Sequence, residues 1–108
     1  MDKGRLITAW IDLELAFRHL HTFGNEQVET SHWLRIAHLN LKASADGNPD
    51  ALKLVHDTGK WADKLDIILF NLHGKITIDE VQELSPQIEN AQIDLRRLIH
   101  SIHEEAKV

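Results

Sequence analysis

The chain has no cysteine, no tyrosine, two prolines, five glycines and no long apolar run. Without cysteine there is no disulfide, zinc–thiolate site, c-type haem attachment or thiol nucleophile. No stretch approaches the roughly 20 apolar residues of a membrane span, and no secretory leader is recognisable. No membrane partner is expected, and soluble cytoplasmic expression is. Basic residues are outnumbered, 12 Lys and Arg against 17 Asp and Glu, for a formal charge of −5. Gripping a phosphate backbone needs a basic face, so nucleic acid is not an expected partner. There is no glycine-rich loop to cradle a phosphate. Ser31, Ser44, Ser85 and Ser101 fall on helices or caps with no base placed to activate them. No catalytic residue and no small-molecule substrate is indicated, and the chain does not read as an enzyme.

What is present is helical periodicity. Val81, Leu84, Ile88, Ala91, Leu95, Leu98 and Ile102 recur at alternating steps of three and four, which puts an apolar stripe along one side of a helix. A stripe that long has to be covered by other elements. Leu6, Trp10, Leu13, Phe17 and Leu20 form a second stripe. Thr30, Leu34, Ala37 and Leu41 form a weaker third, with Trp33 on its margin. Leu54, Thr58, Trp61, Leu65, Ile68, Leu69 and Leu72 form the fourth. The predicted helices span about 3–22, 26–45, 49–72 and 77–105.

Local signals mark the ends. Gly24 suits a left-handed C′ position and Asn25 a cap of the next helix. Asn48-Pro49 is a cap followed by a first helical proline. Thr77 and Glu80 make a capping box. Gly59 lies inside the third helix, at a cost of about 1 kcal/mol against alanine, and suits a close helix approach. Pro86 lies inside the fourth stripe, where it removes a backbone donor. The stripe keeps its phase there, which favours a kink over two separate helices. Short connections between four long helices predict an all-α, antiparallel up-down-up-down four-helix bundle. At 108 residues and 43% apolar composition, residues 1–108 are expected to form a single domain around one core.

The layout resembles cytochrome b562, a haem-binding four-helix bundle of similar length. Asn25-Glu26-Gln27-Val28 entering helix two and Gly74-Lys75 before the last helix carry the likeness. By that resemblance His100 or His103 would be a haem ligand. The family's second ligand is a methionine early in helix one, where this chain reads Leu6-Ile7-Thr8-Ala9-Trp10, and Trp10 and Trp61 compete for a porphyrin's volume. The expectation is therefore no cofactor, with haem as the alternative that the resemblance implies. Ala37-His38-Leu39-Asn40-Leu41-Lys42-Ala43-Ser44 resembles the phosphorylated stretch of histidine phosphotransfer domains. Here the leucine–lysine pair comes one residue late and Ala43 stands where that family has glycine.

Eight histidines raise the question of metal. On a helical wheel His32, His56 and His100 point outward, while His21, His38, His73 and His103 are marginal. Glu29-Thr30-Ser31-His32 matches the Glu-x-x-His element of di-iron bundles, which need two such elements and two further glutamates. No metal site is expected. Asp12, Glu14, Asp63 and Asp66 read as carboxylates on solvated faces.

The outward apolar residues are the remaining lead. Ile11 and Leu15 on helix one, Val28, Ile36 and Leu39 on helix two, and Ile67 and Phe70 on helix three lie away from their own stripes. Together they would form a partner surface, with self-association as a homodimer expected before a foreign partner. The leading expectation is a non-catalytic structural bundle, of the kind also built as a designed scaffold. An interaction module or homodimer is the alternative, and a haem- or metal-binding bundle the next.

Overall fold

A computed structural model describes the backbone of residues 1–22, 25–72 and 74–106; the side chains of 25, 26, 71, 72 and 103–106 lie outside the described residues. Within it are α1 (Lys3–Leu20), α2 (Glu29–Ser44), α3 (Pro49–Ile67) and α4 (Ile78–Ala106), and no strand among the described residues. The helices lie along a rod of 51 × 20 × 18 Å.

Each start has an identifiable chemistry. The Asp2 carboxylate accepts from the Arg5 amide at 3.2 Å and caps α1. Asn48 accepts from the amides of Asp50 and Ala51 at 2.9 and 3.1 Å, with Pro49 as first residue of α3. Thr77 and Glu80 exchange reciprocal bonds at 2.8 and 3.2 Å, as a capping box should. Helix two departs from expectation. Asn25–Val28 forms a 3-10 turn, and α2 begins only at Glu29 with no side-chain cap. The reason is visible at Gln27, which is buried and donates its Nε2–H to the Leu20 carbonyl at 3.2 Å. This turn serves the unsatisfied end of α1. The expected roles of Gly24 and the Asn25 side chain lie outside the described residues.

Helix three also ends differently. It is α-helical to Ile67, and Ile68–Leu72 form a π-helical turn. Gly74, at φ 72°, closes that turn by donating to the Ile68 carbonyl at 3.1 Å. Pro86 does not break helix four, which runs unbroken from Ile78 to Ala106. The α2–α3 turn is tight: Asp46 and Gly47 both take positive φ (46° and 76°), and the Asn48 amide donates to the Ala45 carbonyl at 2.8 Å.

The four stripes meet in one core. Leu6, Leu13, Leu20, Leu34, Leu41, Ile88 and Leu95 are fully buried, and Trp10, Phe17 and Trp33 pack against them from the margin. Each helix touches its neighbours in chain order, and α4 also returns to α1. Cross-helix side-chain bonds mark each seam: Asn40 to Asp12, Arg35 to Asp63 and Asp66, Trp61 to Gln87, and Gln92 to Glu14.

Candidate functional site

A broad, open depression of about 760 Å³ runs across the outside of α3 from Arg35 and His38 on α2 to Glu80 on α4. Its floor includes Val55, Gly59, Ile67 and Ile68. Gly59 sets how closely His38 approaches α3. A Cβ there would lie 2.9 Å from Cε1 and 3.0 Å from Nδ1 of His38, so only glycine lets the imidazole cross α3. The half-buried His38 ring is fixed by its Nδ1, which donates to the Val55 carbonyl at 2.8 Å. That bond selects the tautomer and leaves Nε2 as the lone-pair position.

This contact predicts a sign reversal. Gly59→Ala gains up to about 1 kcal/mol of helix propensity but overpacks against a pinned ring, at roughly 1–3 kcal/mol. A net loss of about 1 kcal/mol is expected in the otherwise unaltered chain. In a His38→Ala background the same substitution is expected to stabilise by up to about 1 kcal/mol. Urea melts of the four proteins of the cycle read the coupling directly.

At the edge of the groove one Arg35 nitrogen donates to Asp63 at 2.7 Å and to Asp66 at 2.9 Å. The bond to Asp63, followed by that to Asp66, holds the guanidinium further above its already high value. All three side chains keep solvent contact, so the fork sets register more than it adds stability. Across the groove, Lys64 reaches Glu83 at 3.3 Å.

A second polar feature departs from the sequence reading. Asp12 is buried between α1 and α2 rather than solvated. It flanks the stripe of α1 on the side that α2 covers, and Asn40 on α2 donates to it at 2.9 Å. Burial pushes its carboxyl above the ordinary range, against the opposing pull of Asn40 and of His32. Because the folded state holds this proton more tightly than the unfolded chain, Asp12 opposes folding above its raised pKa and ceases to do so as pH falls through it. Removing the donor exposes the cost. Asn40→Ala is expected to lose about 2 kcal/mol at neutral pH, less once Asp12 is protonated, while Asp12→Asn is expected to raise neutral-pH stability. Denaturant melts at neutral and mildly acidic pH check both. Glu14 behaves oppositely: Gln92 holds its carboxyl low, with Arg18 adding to that against some desolvation.

The expected partner residues are placed as follows. Ile11, Val28, Leu39, Ile67 and Phe70 are exposed, Phe70 most at 67% and Leu39 at 57%. Leu15 and Ile36 are only half-buried rather than outward, because each lies on the flank where α1 and α2 meet. Val28 belongs to the 3-10 turn and Phe70 to the π turn. Only Ile67 lines the large groove. His100 is exposed on α4, and the His103 side chain lies outside the described residues. His32 and His56 are exposed as the wheel indicates. Trp61 is buried and donates to Gln87 at 3.0 Å. Among the described residues no three His, Asp or Glu side chains converge on a point where a metal could sit, and no helix is long and apolar enough to cross a membrane.

Sequence reasoning missed Arg35, Asn40 and the Gly59–His38 contact. A faint signal existed for the first: Asp63 and Asp66, three apart, share a helix face and invite one cation between them. Comparison with protein-family models, with curated proteins and with solved structures gives no match.

Proposed function

We propose that the chain is an antiparallel up-down-up-down bundle that works through its surface as an interaction module, with a second copy of itself as the first partner. The antiparallel reading is supported by the numbering of cross-helix bonds. Asp12 pairs with Asn40 and His19 approaches Glu29; His38 pairs with Val55 and Arg35 with Asp66; Lys64 pairs with Glu83 and Trp61 with Gln87; and Glu14 pairs with Gln92 and His21 with Ser85. On each seam one number rises as the other falls. The observation that carries the partner reading is the set of large apolar side chains left in water, above all Phe70 in the π turn and Ile67 just before that turn. Large apolar side chains left in water favour association, and self-association is the commonest outcome.

Sedimentation equilibrium tests it. The unaltered chain is expected to shift from monomer to dimer with concentration. Ile67→Glu combined with Phe70→Glu is expected to stay monomeric with unchanged helix content. A chain that remains monomeric at the highest soluble concentration overturns the homodimer.

A second reading has one specific observation behind it. His38 lies in a groove between helices, opposite a glycine, with Nδ1 tied down and Nε2 left as the lone-pair position. This arrangement supports the likeness to histidine phosphotransfer domains. In that role Nε2 would bond to a donor's phosphorus as the donor's own bond to phosphorus breaks. Incubation with phosphoramidate and phosphorus NMR tests this. The expected result is an acid-labile phosphohistidine signal, lost in His38→Gln and kept in His56→Gln. No signal from the folded chain overturns it.

A further inference from the structure

The seam between α3 and α4 is unlike the others. Three clefts follow one another along it, of about 140, 200 and 420 Å³, widening toward the C-terminal end of α4. Adjacent clefts share walls: Trp61 and Gln87 between the first two, Leu54 and Asp94 between the last two. The narrow end is stitched. Lys64 reaches Glu83 at 3.3 Å and the Trp61 indole donates to Gln87 at 3.0 Å. On the α1 side, the same part of α4 bonds through Ser85 to His21 at 2.9 Å. Beyond Gln87 no hydrogen bond or ion pair joins α3 to α4 among the described residues. From there the closed position rests on hydrocarbon, chiefly Ala91, Leu95 and Leu98.

At the boundary between the stitched and unstitched parts stands Pro86. It has no N–H to offer the carbonyl of Gln82, and its ring crowds that carbonyl, so the helix is weakest there. We infer that α4 is hinged at Pro86, and that its segment from Ala91 to Ile102 swings away from α3 as one unit, merging the two wider clefts into a single slot lined by Leu54, Trp61 and Leu98. Residues before Gln87 remain fixed, and α1 stays in contact through Gln92, which donates to Glu14 at 3.0 Å. A helix held at one end by polar links and at the other by apolar packing opens at the apolar end first, since side-chain bonds must be broken only at the former.

Thiol labelling under native conditions tests the hinge, because a rigid swing uncovers side chains without breaking backbone bonds inside the helix. Leu98→Cys, buried at the open end of α4, is expected to react at least about tenfold faster than Leu84→Cys, buried at the stitched end. Equal reaction rates at the two positions overturn the proposal. The cysteine-free chain allows an independent check. Spin labels on Lys53→Cys with Arg97→Cys, facing each other across the widest cleft, are expected to show two separations. Labels on Thr8→Cys with Lys42→Cys, across the α1–α2 seam, are expected to show one. A single narrow separation at both pairs removes the hinge.

Discussion

Ile88→Ala is expected to destabilise the bundle by about 3–4 kcal/mol. The side chain is fully buried in the middle of the α4 stripe. Truncation removes its transfer free energy and leaves a void among neighbours fixed on rigid helices. Domains of this size are stable by about 5–15 kcal/mol, so such a loss takes a large share of the total. Chemical denaturation read by tryptophan fluorescence measures it, with Trp61 lying on the adjacent helix. A loss below about 1 kcal/mol would mean that this part of the core collapses freely onto the gap, and the packed description of α4 would have to be withdrawn.

The second large effect has the opposite sign. Pro86→Ala is expected to stabilise the chain by up to about 3 kcal/mol. Pro86 is exposed and inside a continuous helix, so its replacement restores the bond to the Gln82 carbonyl without disturbing the core. Its neighbour Ser85 keeps its contact with His21. Thermal melts read the gain. Repeating the thiol labelling in this background separates stability from motion: closing the weak joint is expected to slow the reaction at Leu98→Cys more than that at Leu84→Cys. An unchanged melting point would show that α4 has already accommodated the ring by bending.

Much of the architecture was legible from residue spacing, and the reasons are local. The stripe of α4 recurs in the buried residues from Val81 to Leu98, and those of α1 and α3 recur similarly. Asn48-Pro49 and Thr77/Glu80 act where they were expected because a cap depends only on residues within one turn. What failed depended on contacts distant in sequence. The start of α2 was misplaced because Gln27 answers a carbonyl seven residues back instead of opening its own helix. Asp12 looked like any surface acid, since its burial depends on which flank α2 covers and on Asn40 being there to meet it. Gly59 was read as a place of close approach, yet nothing in the periodicity names His38 as the group that approaches. Of the seven outward apolar residues, the two that came out half-buried are those on the α1–α2 flank, where a wheel cannot tell rim from shoulder.

The left-handed pair at Asp46-Gly47 has a practical consequence. No heavy atom lies within 4 Å of a Cβ built on Gly47, α3 is capped from beyond it by the Asn48 side chain, and an insertion there gives up only the Asn48–Ala45 backbone bond. Extra residues spliced in after Gly47 would project beyond the tip of the rod without meeting the interior. That makes the turn the natural port for an epitope, a reporter peptide or a new pair of chain ends.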